Sequence, residues 1–273
     1  MSLKGKITIV TGSTRGIGFA IAKEFAEANG STVIVCSRNL NQAARAVSQI
    51  KGKAFAAEVD VTSESSVKKF IQQVLDNHKR IDILINNAGY PFDKDIWYKK
   101  FHETSDNELD RILEVDLKGS ARLAREVIPI MIQNNNSDSS SETNTGKVKR
   151  QKRTAAGGGV IINISSTPAI SGHTKGSPYT IAKAANIALT KCISREYGAR
   201  NIRSYSLALG NIATMMTYES MTPEDRDIAT QEPSMKRWGR PEEVAKVAAC
   251  IADDNFSFAT GNTIIIDGGN VLL

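Results

Sequence analysis

The apolar run Lys6–Val10 passes through Thr11-Gly12-Ser13-Thr14-Arg15-Gly16-Ile17-Gly18 into a helical pattern carried by Phe19, Ile21, Ala22, Phe25 and Ala26. A buried strand, a glycine loop and a helix in that order constrain the chain to layered α/β architecture. The glycines permit a tight turn and close backbone approach, and the N–H groups and dipole at the helix start attract an anion such as a pyrophosphate. Taken alone, the loop could also be a tight turn with no ligand. A second apolar strand, Thr32–Cys36, follows at once.

The alternation continues along the chain. Ala54–Val59 is a third strand-like run, leading through Asp60-Val61 into a helix with its N-cap at Thr62 or Ser63 and Glu64 in its first turn. Ile81–Ile85 is a fourth strand and ends in Asn86-Asn87-Ala88-Gly89, where small residues leave room for a flat ligand beside the backbone. Val160–Ile164, Ile202–Ala208 and Thr263–Ile266 complete about seven strands, and Pro241 suits the first position of a helix. The expected fold is a doubly wound parallel sheet with helices on both faces, formed by one domain over residues 1–273. Two helical patterns between Asp106 and Met131 meet at Gly119, and Pro129 is expected to kink or end the second. Residues 134–158 are rich in Ser, Asn and Thr and then turn basic, with Lys147, Lys149, Arg150, Lys152 and Arg153. Such a stretch builds no core and is expected to be a mobile surface insertion, either solvated or docking an acidic partner.

The end of the second strand bears on cofactor choice. A dinucleotide fold that binds a ribose 2′-hydroxyl carries a carboxylate there, whereas an arginine accommodates a 2′-phosphate. The chain has Ser37-Arg38-Asn39, and Arg15 stands in the glycine loop. Two guanidinium groups suit phosphate geometry, so NADP(H) is expected over NAD(H), with a solvated surface charge as the alternative for either arginine. Asp60 could accept a hydrogen bond from an adenine amine or simply serve the helix entry.

Composition excludes several classes. No apolar run approaches the ~18 residues of a membrane span, so a soluble, cytoplasmic protein is expected. Cys36, Cys192 and Cys250 are scattered, so reduced, buried thiols are expected; His78, His102 and His173 lack ligand spacing, so no metal is expected. A net charge of +6 without a basic stripe or docking motif argues against nucleic acid.

Ser177-Pro178-Tyr179-Thr180-Ile181-Ala182-Lys183 opens a helix that places Tyr179 and Lys183 one turn apart on one face. A fixed ammonium favours the phenolate of a nearby tyrosine, which makes the two a candidate acid/base pair. Ser165-Ser166, at the end of the strand before this helix, could converge with the tyrosine on one carbonyl oxygen.

Thr11-Gly12-x-x-x-Gly16-x-Gly18, Asn86-Asn87-Ala88-Gly89, Ser166 with Tyr179-x-x-x-Lys183, and Asp267-Gly268-Gly269 occur in this order. Together they resemble the short-chain dehydrogenase/reductase family, of the single-domain, metal-free kind with a Rossmann-type fold, over essentially the whole chain apart from the basic insertion. The resemblance implies that Tyr179 protonates a carbonyl oxygen as hydride arrives, that Lys183 lowers the phenol pKa and holds the nicotinamide ribose, and that Ser166, more than Ser165, polarises the carbonyl. It implies cofactor contacts at Gly12, Gly16 and Gly18, with Ser13, Thr14, Arg15 and Ile17 of the same loop, at Ser37 and Arg38, and at Tyr179 and Lys183 themselves. Asp60 and Val61 are implied for the adenine, Asn86, Asn87, Ala88 and Gly89 for the adenosine side and its ribose, and Gly210, Ile212 and Thr214 for the carboxamide end.

Two positions depart from the family pattern. In Glu114-Val115-Asp116-Leu117, Asp116 takes the proton-relay position where Asn is usual, and its charge would pair with Lys183. Leu209-Gly210 stands where Pro-Gly is usual. The segment Trp238-Gly239-Arg240-Pro241-Glu242-Glu243-Val244-Ala245 is similar to that of 3-oxoacyl-thioester reductases and of sugar or alcohol dehydrogenases. The resemblance thus implies a small-molecule or thioester-carrier substrate, a lid near 212–238 and a homotetramer or dimer. The leading expectation is reduction of a 3-oxoacyl thioester. Sugar or polyol oxidation, and a non-catalytic cofactor-sensing scaffold, are the alternatives.

Overall fold

The computed structural model describes residues 2–140 and 158–272. Among these, β1 (Ile7–Thr11), β2 (Thr32–Ser37), β3 (Ala54–Glu58), β4 (Ile83–Asn86), β5 (Val160–Ser166), β6 (Arg203–Leu209) and β7 (Thr263–Ile266) form one sheet in the order β3-β2-β1-β4-β5-β6-β7. Every neighbouring pair is parallel. The strands β1, β4, β5 and β6 are buried along their whole length, which is why β1, β4 and most of β5 read as apolar runs instead of alternating ones.

Successive side chains of a strand point to opposite faces, and the core divides accordingly. Val10, Val33, Val35, Ile83, Ile85 and Ile162 face one layer, and Ile9, Ile34, Leu84 and Ile161 face the other. The helices are α1 (Gly16–Lys23), α2 (Leu40–Val47), α3 (Glu64–His78), α4 (Lys94–Trp97), α5 (Asp106–Leu113), α6 (Gly119–Ser140), α7 (Pro168–Ser171), α8 (Ser177–Tyr197), α9 (Met215–Ser220), α10 (Pro223–Gln231) and α11 (Pro241–Ala252). Ile21 of α1, Ala43 of α2 and Val244 of α11 close the first layer, whereas Phe70 of α3, Val127 of α6 and Ile193 of α8 close the second. Each of the larger of these side chains contributes roughly 1.5–3 kcal/mol relative to exposure. The expected doubly wound parallel sheet, with helices on both faces, is the observed one.

Sequence order reverses between β1 and β4, so the first and second halves of the sheet leave a crevice at the carboxyl ends of these two strands. Ligands of such folds bind at this switch point. Thr62 and Ser63 were both candidate caps for α3; Ser63 is the one, its side chain accepting the N–H of Ser66 at 3.2 Å.

Several expectations are corrected. Pro129 does not end the helix around it, because α6 continues to Ser140. The face of α6 that buries Leu123, Ala124, Val127, Ile128 and Met131 offsets the hydrogen bond that proline removes. Residues 134–140 are accordingly helical where a loop was expected, and the Asn134 amide donates to the Ile81 carbonyl at 3.0 Å. The basic part of the insertion, Lys147 to Arg153, lies outside the described residues. Cys36 is buried, and burial pushes its thiol up to about 12, but Cys192 is exposed, contrary to the expectation of three buried thiols.

Candidate active site

The glycine loop sits at the switch point. Gly12 and Gly16 have φ of +60° and +56°, a left-handed region that a side chain disfavours. A Cβ on Gly12 would approach the Ala88 Cα to 3.0 Å, and one on Gly18 would lie 2.4 Å from the Asn87 Nδ2, so the loop and the end of β4 are packed backbone to backbone. Asn87 holds them together: its amide donates to the Thr11 and Gly12 carbonyls at 2.9 and 3.1 Å, while the Thr11 hydroxyl accepts the N–H groups of Asn87 and Ala88 at 2.9 Å each. Arg15 is the extended N-cap of α1 and makes no side-chain cap, so the first-turn N–H groups have no intrahelical partner. The loop's backbone thus forms a cradle whose chemistry suits an anion such as a pyrophosphate.

The other implied cofactor residues fall in different ways. Ser13 is turned inward, its N–H donating to the Cys36 carbonyl at 3.3 Å and its hydroxyl to the Val10 carbonyl at 2.6 Å, so its donor groups serve the core. Arg38 and Arg15 are exposed, and Ser37 is half-buried beside Arg38. Asp60 accepts the Thr62 hydroxyl and N–H on one oxygen at 2.7 and 2.9 Å, the helix-entry role that was one of its two readings. The Thr62 hydroxyl, then its N–H and the charges of Arg38 and Arg122, hold the Asp60 carboxyl below its usual range against the effect of burial. Val61 lies in the core, within reach of the bare Gly119 backbone. Asn86 turns inward and donates to the Asn163 side chain at 2.9 Å.

The candidate acid/base pair lies at the carboxyl end of β5. Helix α8 carries Tyr179, Lys183, Asn186 and Thr190 at helical spacing along one line, the last three buried. Lys183 Nζ stands 5.5 Å from the centroid of the Tyr179 ring, donates to the Ile164 carbonyl at 3.2 Å and pairs with Asp116 Oδ1 at 2.8 Å. Burial pulls the Lys183 ammonium down, but the Asp116 carboxylate, the Tyr179 phenol and the hydrogen bond to Asp116 outweigh it and raise the group above its ordinary value. The Ser165 hydroxyl donates to the Lys183 carbonyl at 2.8 Å, which fastens α8 to β5. Ser166 stands at the strand's C-terminal end, as expected, as its last residue, and its hydroxyl donates to the Leu209 carbonyl at 3.2 Å.

Asp116 sits in a π turn, Glu114–Lys118, between α5 and α6. Such a widened turn is a frequent device at functional sites. Here Glu114 and Lys118 pair with each other at 3.0 Å toward the surface, while Asp116 points inward with 1% exposure. Its second oxygen accepts the Tyr90 N–H at 2.6 Å, and its backbone carbonyl accepts the Asn186 amide at 2.8 Å. The carboxylate therefore joins the loop after β4 to the lysine of α8.

Gly210 packs against Asp267, where a Cβ would come within 2.5 Å, and Ile212 bridges to Gly239 ahead of α11. Thr214 caps α9 through the Thr217 N–H at 3.2 Å, and its methyl lies 3.5 Å from where a Gly16 Cβ would be. The start of the expected lid thus stands over the glycine loop. Sequence reasoning missed Trp97, whose ring meets Tyr179 edge-on at 5.8 Å between centroids. An isolated tryptophan in a short segment gives no signal of its target. Among the described residues, no group of three or more His, Cys, Asp or Glu side chains could hold a metal ion.

The chain is similar to known proteins along nearly its whole length. A family model described as short chain dehydrogenase matches residues 6–140, and one described as enoyl-(acyl carrier protein) reductase matches 138–270. The chain is 33% identical to a 3-oxoacyl-(acyl-carrier-protein) reductase of Thermotoga maritima over 100% of both chains. It is 29% identical to glucose 1-dehydrogenase 2 of Bacillus subtilis, covering 99% of this chain and 96% of that one. The crystal structure of a 3-ketoacyl-(acyl-carrier-protein) reductase from Brucella melitensis, complexed with NADH, superposes with a TM-score of 0.85 at 26% identity, over 98% of this chain and 99% of that one.

Proposed function

This chain belongs to the short-chain dehydrogenase/reductase family of nicotinamide-dependent oxidoreductases, and from that premise we propose that it uses NADP(H) to reduce a 3-oxoacyl thioester to the 3-hydroxyacyl thioester. The observation that carries the proposal is Lys183, buried at 7% side-chain exposure, facing the half-buried Tyr179 phenol at the carboxyl edge of the sheet. A nicotinamide cofactor, held by the glycine loop and Lys183, would supply hydride to the carbonyl carbon. Tyr179 donates a proton to the carbonyl oxygen, and the Lys183 ammonium beside it stabilises the phenolate that remains. The Ser166 hydroxyl rotates from the Leu209 carbonyl to the substrate oxygen and polarises it.

The thioester substrate is supported by relatives with that printed activity at 32–34% identity. A second reading, oxidation of a sugar, is favoured by the Bacillus subtilis glucose dehydrogenase. NADPH oxidation with acetoacetyl-CoA, set beside NADP⁺ reduction with D-glucose, separates them. Turnover of the thioester at least tenfold faster in kcat/KM supports the proposal, and preference for glucose overturns it.

The choice of NADP(H) rests on Arg38 and on the absence of a carboxylate from Ser37-Arg38-Asn39, although the Brucella melitensis structure holds NADH. Arg38→Asp replaces a phosphate partner with a charge that repels it and can accept a ribose hydroxyl. The KM for NADPH should rise by roughly tenfold or more, the factor of ~1.4 kcal/mol, with that for NADH unchanged or lower. Equal changes in both would remove Arg38 from the phosphate site.

A further inference from the structure

Helix α4 is only one turn long, yet it is fixed at both ends. Asp93 caps it by accepting the Asp95 N–H at 3.0 Å. Ile96 is buried in a small cluster with Ile112 of α5 and Ala182 of α8, the residue just before Lys183. The Trp97 carbonyl accepts the Gly176 N–H at 2.8 Å, one residue ahead of α8. Gly176 has φ +65°, and a Cβ there would lie 2.3 Å from the Trp97 ring, so indole and glycine backbone are in close contact. The indole therefore has its place set by the same helix that carries the acid/base pair.

Around this indole stand Tyr179 at 5.8 Å, His173 at 5.6 Å and Phe92 at 5.7 Å between ring centroids. Phe92 and His173 are exposed, and Trp97 is half-buried between them and the phenol. The rings form a continuous aromatic path from solvent to the Tyr179 ring. Nδ1 of His173 accepts the Lys175 N–H at 3.1 Å, so this polar atom of the path is already engaged. An aromatic surface of this kind gains free energy from apolar contact and ring stacking. A polyol needs a fan of hydrogen-bonding partners instead.

We propose that Trp97, with Phe92 and His173, is the specificity-determining wall of the substrate site and receives a flat or straight apolar arm, aryl or unbranched alkyl, borne on the reacting ketone carbon. This deepens the reductase reading and rests on it for the identity of the reacting group. Ketones with such an arm are bound in preference to those with a methyl group alone.

The test is equilibrium binding by calorimetry to the NADPH-loaded Tyr179→Phe protein, which keeps the ring and stops turnover. The probes are ethyl benzoylacetate and ethyl acetoacetate, which differ in phenyl against methyl on the ketone carbon. The phenyl ketone is expected to bind about tenfold tighter, with the gap lost in the added Trp97→Ala change and retained in Trp97→Phe. A gap that persists in Trp97→Ala, or equal affinity of both ketones in the parent, overturns the proposal. Thermal melts and NADPH affinity of each variant identify any that misfold, and Trp97→Phe keeps the comparison available if Trp97→Ala does. Turnover of acetoacetyl-CoA by the unmodified enzyme is read separately; its absence would sink the reductase reading without altering the binding gap.

Discussion

Tyr179→Phe is expected to lower kcat/KM for ketone reduction by about 10²–10⁴-fold, the usual worth of a positioned general acid. The phenol is half-buried and makes no hydrogen bond among the described residues, so the fold should not depend on the hydroxyl. The dissociation constant for NADPH should stay within about threefold, since the cradle at Gly12, Gly16 and Gly18 is formed without Tyr179. Steady-state kinetics beside fluorescence titration of NADPH check both halves. A fall in affinity that matches the fall in rate would make Tyr179 a binding residue and not the acid.

The second large effect concerns the buried pair of Asp116 and Lys183, at 2.8 Å with side-chain exposures of 1% and 7%. Asp116→Ala leaves the ammonium without its counter-ion in a dry site and strands the Tyr90 N–H. Removing one member of such a pair costs about 3–5 kcal/mol, so chemical denaturation should show a loss of that size. Asp116→Asn retains an acceptor and the shape, and should fold with a smaller loss of about 1–3 kcal/mol. The Asn variant also leaves the Lys183 charge less neutralised beside Tyr179, so the pH–rate profile for alcohol oxidation should move to lower pH. The Lys183 ammonium is raised above its reference value of 10.5 in the folded state. Its contribution to stability is therefore complete below that pH and is lost as the pH climbs through the raised value. Asp116→Asn should show a smaller alkaline loss. Identical pH profiles in the two proteins would mean that the carboxylate does not act on the phenol.

Much of the fold was legible because a parallel sheet covered on both faces leaves plain apolar runs in the sequence, as in Ile7–Thr11 and Val160–Ser166. The least covered strand, Ala54–Glu58 at the sheet edge, still showed through its small residues, although Phe55 is 50% exposed. Tyr179 and Lys183 were visible because helix periodicity alone puts them side by side. The π turn at Asp116 was not, since one extra residue per turn rotates a side chain inward without altering composition. The polar end of α6 read as loop because its fixing contact, Asn134 to the Ile81 carbonyl, spans distant parts of the chain. Ser13 read as a loop residue facing a ligand, whereas its bonds to Val10 and Cys36 need the neighbouring strand to be in place. Trp97 is of the same kind, because its partners at Gly176 and Tyr179 come from another element.

The most direct measurement follows deuterium from C4 of labelled NADPH into product, with acetoacetyl-CoA as acceptor, for the unmodified enzyme and Tyr179→Phe at matched cofactor occupancy. The account predicts label on the new carbinol carbon with the unmodified enzyme and at least about a hundredfold less in the same time with the variant. Equal transfer by both proteins would contradict the assignment of Tyr179 as the proton donor at the heart of the site.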